Sequence, residues 1–588
     1  MAHIDLQGGK IVLSCSPRES DLARSIPGMA FDNRTSTWRA APAWSVCKAA
    51  RGVFGPGMTV GPELARWSNA KYEELQALLA AKAGEAMFPE PRLYPYQQAG
   101  AAWMALAGRG GVFNDMGTGK TPMSICAVES LGEGAFPALV ICTKSMLYKW
   151  VEEWKVWGSE DRTFAVATGT AGERRKALES GADVVVIAWD NIRRHSRLAP
   201  FGSVTLSEDE KAEKELNAAG FRTVIADEAH KAADAKAKQT RAWWLLSHRA
   251  RYSFALTGTP LVNNAVDTWT IMHGLWPNEY PAKTKFIDRF TVSAINMHGA
   301  LEVFGLAPAT TAELYSFLDP YFIRRTLAEV RPEIAQPIHD IRYVDMDPKQ
   351  GKAYDQMAQH MLAELDGGIV VADNPLVQAG RLEMFAAAMG ALDSEGKVIL
   401  TAPSCKVDAL LDILDEQPGA PVVVFTRHRL LIDLCEVALG KKGVSCMRIT
   451  GNESAAERTA NVAAFQAGDV QVALCTYDAG SESITLTRAA RMVLLQRHRS
   501  NVKTMQAIGR IARIGQTADE VIVTDVRARG SIEDAVAAGV EVKAEYLQEI
   551  LRDHLLSKVP VKKGRKWCRT SPKQAAAERR LSQPRLVS

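Results

Sequence analysis

The sequence predicts an α/β protein with two doubly wound parallel-sheet lobes, helical insertions and a small N-terminal α/β domain. Two observations carry this. Short continuous apolar runs alternate with amphipathic stretches from Leu93 to about Phe290, and the same alternation returns from Val422. A strand that is apolar on both faces belongs in a parallel sheet covered by helices, where right-handed crossovers join the strands.

The elements follow in chain order. Residues 1–50 read as a small accessory domain: Ile11-Val12-Leu13 is a short strand, and Pro27-Gly28 leads to Ala30-Phe31-Asp32 and Thr37-Trp38-Arg39 across an Asp32-Asn33 turn. Residues 51–90 read as a linker, with glycines and prolines from Gly52 to Pro62, and then a helix from Pro62 to Ala83. Lobe one is assigned to 91–300. Its strands are expected at Gly111-Val112-Phe113, Ala138-Leu139-Val140-Ile141, Val184-Val185-Val186-Ile187, Val224-Ile225-Ala226 and Phe254-Ala255-Leu256. Residues 301–400 form an inter-lobe insertion, expected to be mostly helical between Leu301 and Leu392. Lobe two is assigned to 401–545, with strands at Val422–Phe425, Ser445–Ile449, Val470–Leu474, Met492–Leu495 and Val521–Val523. Residues 546–588 read as a helix and a tail, basic from Lys562 onward with Glu578 as its one acid, and expected to be disordered.

Composition narrows the classes. A chain of 588 residues suits two to four domains. A formal net charge of +4 neither requires nor excludes nucleic acid, because a basic groove can sit within a balanced total. The nine cysteines form no C-x-x-C pair and no zinc-like spacing, which reads as reduced thiols. There is no leader pattern and no apolar run near the ~20 residues a membrane span needs. A soluble, cytoplasmic protein without a membrane partner is expected, and a monomer. The little sequence outside the two lobes suits a bacterial or phage protein.

The first chemical motif follows the first strand of lobe one. Asn114-Asp115-Met116-Gly117-Thr118-Gly119-Lys120-Thr121 lies between that strand and a helical pattern. Backbone N–H groups of such a loop cradle phosphates, and the helix N-terminus favours their charge. Met116, Gly117, Thr118, Gly119, Lys120 and Thr121 are therefore assigned to ATP, with Lys120 on the β- and γ-phosphates and the Thr121 hydroxyl on Mg²⁺. The strict pattern asks for glycine where Asn114 stands, and a plain glycine turn before a helix is the alternative. A second motif weighs against that alternative. Val224-Ile225-Ala226 ends in Asp227-Glu228-Ala229-His230, which puts carboxylates at the end of a buried strand. Asp227 is expected to hold Mg²⁺, and Glu228 to orient and deprotonate the attacking water. Leu256-Thr257-Gly258-Thr259-Pro260 offers hydroxyls that could link the phosphate site to the neighbouring lobe, or is a simple strand exit. In lobe two, Gln506, Arg510 and Arg513 are spaced i, i+4, i+7, which places them on one face of a helix. Arginines supplied to a transferring phosphoryl group stabilise its charge. The alternative is a solvated basic face.

These blocks, in this order, resemble helicase superfamily two, and more narrowly the Swi/Snf-type DNA translocases, over roughly Leu93 to Thr524. The resemblance implies RecA-like lobes, a DNA-dependent ATPase and several further roles. Leu93-Tyr94-Pro95-Tyr96-Gln97 is similar to the adenine-reading element, so Gln97 would contact the base. Thr143–Leu147 with Trp150 resembles the first DNA-contacting motif, and Tyr321-Phe322-Ile323-Arg324-Arg325 the double-arginine element before lobe two. Val344–Asp347, Tyr354 and Ser404-Cys405-Lys406 resemble the entry to lobe two, and Arg510 to Gln516 the closing motif. Lys144, Ser145, Thr426 and Thr476 are the implied contacts to DNA phosphates, duplex or forked. The chain departs from the family at Ser483, where glycine is usual, and at Arg497-His498-Arg499-Ser500, where a Trp-Asn-Pro element is usual. Ile26 to Trp38 is faintly similar to the N-terminal domain of annealing helicases, and a generic folded cap is the alternative. The tail residues Lys562, Lys563, Arg565 and Lys566 would add nonspecific affinity, or merely solubilise the end. A processive unwinding helicase, an RNA helicase and a regulatory ATPase indifferent to nucleic acid are the other readings.

Overall fold

The structure, a computed structural model, describes residues 2–197, 214–258, 266–279, 282–295, 301–480, 484–538 and 561–562. One compact unit runs to Glu333, and a second begins at Ile334.

The first unit opens with a five-stranded sheet in the order β3-β4-β2-β1-β5. Its strands are β1 (His3–Gln7), β2 (Lys10–Ser14), β3 (Ala30–Asp32), β4 (Thr37–Ala40) and β5 (Thr59–Val60). Ile4, Ile11 and Leu13 form its core with Ile26, Trp38 and Val46. The expected linker between Gly52 and Pro62 is instead part of this domain. The helix Trp44–Phe54 enters it and β5 pairs with β1, so these glycines and prolines shape tight turns inside the fold. The domain is clamped to the lobe that follows. The Glu279 carboxylate accepts the backbone N–H groups of Trp44 and Ser45, both at 2.8 Å, and so caps the helix Trp44–Phe54. Lys285 Nζ donates to the carbonyls of Arg24 (3.1 Å) and Ile26 (3.2 Å).

The helix Pro62–Ala83 leads into lobe one. Its strands are β6 (Arg109–Val112), β7 (Ala138–Cys142), β8 (Phe164–Ala167), β9 (Val184–Ala188), β10 (Thr223–Asp227) and β11 (Tyr252–Leu256). A hairpin follows, β12 (Thr291–Ile295) with β13 (Leu301–Leu306), and then the edge strand β14 (Phe322–Ile323). The main sheet runs β14-β6-β11-β10-β7-β9-β8, and every pairing in it is parallel. Strands β7 and β9 are buried at every residue, as their apolar runs require. The carboxyl ends of β6, β11, β10 and β7 therefore share one rim, where open α/β sheets bind ligands.

The second unit has its own seven-stranded sheet. Before its core come β15 (Pro337–Val344) and two hairpins, β16 (Leu362–Leu365) with β17 (Gly368–Val371), and β18 (Met389–Leu392) with β19 (Val398–Thr401). The core strands are β20 (Val422–Thr426), β21 (Cys446–Ile449), β22 (Val472–Thr476), β23 (Arg491–Leu494), β24 (Val521–Ala528) and β25 (Val561–Lys562). Their order is β21-β22-β20-β23-β24-β15-β25, again all parallel. The expectation of a mostly helical Leu301–Leu392 is corrected here: helices alternate with β13, β15 and the hairpins. The turn of the β16–β17 hairpin is made by Asp366 and Gly367, with Gly367 at φ 96°, a conformation that interrupts any helix. Lys562 lies in β25, and the rest of the basic tail falls outside the described residues.

Candidate nucleotide site

The rim of lobe one collects the motifs of the first unit. After β6 the chain makes the Asn114–Gly119 loop, and the helix Lys120–Ser130 starts directly from it. Gly117 and Gly119 sit at φ 75° and 78°, in the left-handed region. A Cβ on Gly119 would come within 2.1 Å of Gln97 Nε2, so this position has room for glycine alone. A helix start with two left-handed turns is the kind of concavity that suits an anion. Lys120 Nζ donates to the loop carbonyls of Asn114 (2.9 Å) and Asp115 (3.0 Å). Burial pushes its pKa down, and the nearby carboxylates of Glu228, Asp227 and Asp115 oppose that shift. Thr118 Oγ1 donates to Asp115 O at 2.7 Å. Thr121 is half-buried in the first helical turn. Met116 lies against Gly258, where an added Cβ would meet its Cγ at 3.0 Å. Thr259 and Pro260 fall outside the described residues.

Gln97, on the helix Pro95–Ala107, is buried at 5% exposure. Its Nε2 donates to Thr118 O at 2.9 Å and its Oε1 accepts Tyr94 N–H at 2.9 Å. The residue that the resemblance gives to the base is therefore physically part of the phosphate loop's wall. Tyr94 and Tyr96 stack at 6.0 Å beside it.

The acid pair ends β10. Because β11 alone separates β10 from β6, the carboxylates stand two strand spacings from the loop, about 10 Å. Asp227 accepts Trp150 Nε1–H and Glu228 N–H, each at 2.9 Å. Burial and the negative charge of Glu228 push its pKa up to about 6. Glu228 itself is held at φ 50°, ψ 48°, a left-handed conformation that costs a non-glycine residue roughly 1–2 kcal/mol. Its Oε2 lies 3.2 Å from His230 Nδ1, and that nitrogen is 3.1 Å from Thr257 Oγ1 at the end of β11. Two acids crowded on one buried rim favour a cation. Asp227 and the Thr121 hydroxyl offer hard oxygen donors, which fit Mg²⁺.

Trp150, read together with the Thr143–Leu147 motif, is a core residue of lobe one. It is fully buried, on the inner face of the helix Leu147–Trp157 with Leu147 and Trp154, and its indole N–H holds Asp227. The spacing of 147, 150 and 154 carries the signal of a buried helix face. Lys144 and Ser145, at the carboxyl end of β7, are exposed. In lobe two, Thr426 ends β20 fully buried with its hydroxyl donating to Gln496 Oε1 at 2.7 Å, while Thr476 ends β22 half-buried.

The arginines of lobe two are also corrected. The helix that carries Gln506 spans Asn501–Ile508 and ends at Gly509, so Arg510 and Arg513 lie in the tight turns beyond it. The i, i+4, i+7 spacing does not place them on a helical face. They converge by another route: Arg510 Nη1 (3.3 Å) and Arg513 Nη1 (3.2 Å) both donate to Ile484 O. Ile484, within the departing 479–487 motif, thus anchors both guanidinium groups, and Ser483 is outside the described residues. Sequence reasoning did not assign Asp115 or Arg324 to the site. Arg324 Nη1 lies 2.6 Å from Asp115 Oδ1, and no local pattern connects two residues so far apart in the chain.

A glycine loop closed by a lysine, with an acid pair two strands away on a parallel-sheet rim, gives lobe one the layout of a P-loop nucleotide site. Residues 96–385 match the SNF2-related domain, and residues 405–515 the helicase conserved C-terminal domain. The chain belongs to the SNF2-related family of helicases. It is 24% identical over 460 residues to the mouse "DNA annealing helicase and endonuclease ZRANB3" (Mus musculus), covering 77% of this chain and 40% of that protein. It is 23% identical over 550 residues to the human "DNA excision repair protein ERCC-6" (Homo sapiens), covering 83% and 35%. The solved "Sulfolobus solfataricus SWI2/SNF2 ATPase core in complex with dsDNA" matches 78% of this chain and 96% of that one, at 21% identity and a TM-score of 0.35. The chain spans less than half the length of these two relatives. Among the described residues no helix is long and apolar enough to cross a membrane.

Proposed function

We propose that the chain is a DNA translocase that couples ATP hydrolysis to movement along duplex or branched DNA. The observation that carries this reading is the shared rim of lobe one. The Lys120 loop, the Asp227-Glu228 pair and the exposed Lys144-Ser145 turn stand at the carboxyl ends of β6, β10 and β7. Nucleotide chemistry and a backbone contact to nucleic acid would thus sit on one rigid edge. The annealing-helicase and excision-repair relatives support DNA as the track, in replication, repair or recombination.

In this reading Lys120 exchanges the Asn114 and Asp115 carbonyls for phosphate oxygens. Gln97 reads the base, and the loop from Met116 to Gly119 wraps the phosphates. Thr121 and Asp227 would hold Mg²⁺, which would supply positive charge at the phosphates. Glu228 takes the proton of the attacking water, and its contact with His230 fixes the carboxylate for that step. Arg510, Arg513 and Gln506 are the proposed lobe-two contribution to the charge of the transferring group. Thr426 and Thr476 are proposed phosphate contacts, although Thr426 must first release Gln496.

The test is the ATPase rate without nucleic acid and with duplex, forked and single-stranded DNA and RNA, beside Lys120→Ala and Glu228→Gln. Stimulation by duplex or forked DNA that disappears in both variants is expected. Equal rates with every ligand would leave a regulatory ATPase, and stimulation by RNA alone an RNA helicase.

A further inference from the structure

The phosphate loop is attached to the strand that leads out of lobe one. Strand β14 pairs with Gly111 and Val112 of β6, and Phe113 stacks on Phe322 with ring centroids 5.4 Å apart. The pairing does not stop where β6 ends. Phe113 N–H donates to Ile323 O at 2.8 Å, and Asp115 N–H, inside the phosphate loop, donates to Arg325 O at 2.9 Å. Side chains fasten the same junction. Arg324 Nη1 reaches Phe113 O at 2.7 Å and Asp115 Oδ1 at 2.6 Å, while Asp115 Oδ2 accepts Leu327 N–H at 2.9 Å. The Arg324 side chain is 7% exposed, so losing Asp115 would take a carboxylate away from a buried charge.

Asp115 therefore faces two ways. Its side chain grips residues 324–327, and its carbonyl receives Lys120 Nζ and Thr118 Oγ1. Six residues after Leu327 the first unit ends at Glu333, and the chain continues into the second. When Lys120 leaves the Asp115 carbonyl for a phosphate, Asp115 loses one of the contacts that set its position.

We propose that Asp115 and Arg324 form a latch between the phosphate loop and the inter-lobe connector, and that through it Arg324 positions the connector according to the nucleotide state of Lys120. This rests on the ATPase reading above. Arg324 is a positioning residue in this scheme, because it acts through Asp115 and not on the nucleotide.

The experiment combines kinetics with hydrogen exchange on the full chain. Arg324→Gln is expected to lower DNA-stimulated kcat about tenfold while KM for ATP moves by less than about threefold. Arg324→Lys, which keeps the charge, is expected to recover most of the loss. In a Glu228→Gln background, ATP with Mg²⁺ is expected to change amide exchange over residues 324–333. That change should vanish with Arg324→Gln and persist with Arg324→Lys. Should Arg324→Gln fail to fold, Asp115→Asn takes its place in the exchange measurement, with the same expectation. The latch is overturned if the connector responds to nucleotide equally in all variants, or if Arg324→Gln raises KM with kcat intact. Failure of the Glu228→Gln parent to bind ATP would bring down the ATPase reading, and the latch with it, before any latch variant is compared.

Discussion

The two lobes share an all-parallel sheet but use their carboxyl rims differently. In lobe one the rim charges converge on a concavity. Lys120 is satisfied by loop carbonyls, and Asp227 is held by an indole and a backbone N–H, all contacts that a phosphate or a cation can replace. In lobe two the charges are tied to one another. Glu383 pairs with both Arg427 and Arg499, Lys406 pairs with Glu533 at 2.7 Å, and Asp525 with Arg527 at 2.9 Å. The sheet architecture is the same, so chemistry is decided by what the loops put at strand ends. A rim built from left-handed glycines leaves backbone donors for a ligand, whereas a rim of buried ion pairs holds its own strands together.

The sharpest way to break this contrast is Glu228→Gln. It is expected to lower steady-state phosphate release by about 10²–10⁴ while nucleotide still binds. If hydrolysis survives within a few-fold, the acid pair of lobe one is not the chemical centre. Next comes Glu383→Ala in lobe two, which leaves Arg427 and Arg499 without their shared carboxylate. A loss of about 2–3 kcal/mol in stability is expected by urea unfolding, discounted because both arginines are partly exposed. A variant as stable as the parent would mean that these ion pairs do not hold lobe two together.

Acid should weigh more heavily on lobe two, although burial pushes His248 of lobe one down to about 4 as well. Burial pushes His339, His428 and His498 of lobe two down to about 4, with Arg427 adding to the effect at His428. Unfolded histidines take protons near pH 6.5, so the unfolded state binds more protons between pH 6.5 and 4. Stability is complete above pH 6.5 and falls as pH drops through that window. Replacing His428 with Gln should flatten the fall by about 1–2 kcal/mol, read as melting temperature against pH. An unchanged slope would show that His428 titrates normally. The smallest effect expected is at the N-terminal clamp. Glu279→Gln removes the charge that caps the helix Trp44–Phe54 and should cost about 1 kcal/mol, seen as faster amide exchange at Trp44 and Ser45. Exchange as slow as in the parent would assign that clamp to packing alone.

The parts legible in the sequence are those where burial is symmetrical. Strands β7, β9, β10, β20 and β22 are continuous apolar runs because both their faces are covered, and the acid pair stands at the end of one of them, β10. Strand β15 escapes because seven of its eight residues are only half-buried and its Pro-Ile-His-Asp-Ile-Arg-Tyr-Val run mixes polar with apolar. Strand β14 is two residues long and has no period to detect. The arginine row was misread because spacing alone is blind to Gly509, where the helix ends. Phe113 and Arg324 are 211 residues apart, and only the folded sheet edge brings them together.

The position of β15 also has a practical meaning for anyone cutting the chain into fragments. This strand precedes both hairpins, yet it forms an eight-residue parallel ladder with β24. A lobe-two fragment begun at 401, the bound read from the sequence, would strip β24 of that neighbour and present an open sheet edge to other copies, which invites aggregation. A fragment begun at Ile334 keeps the ladder closed.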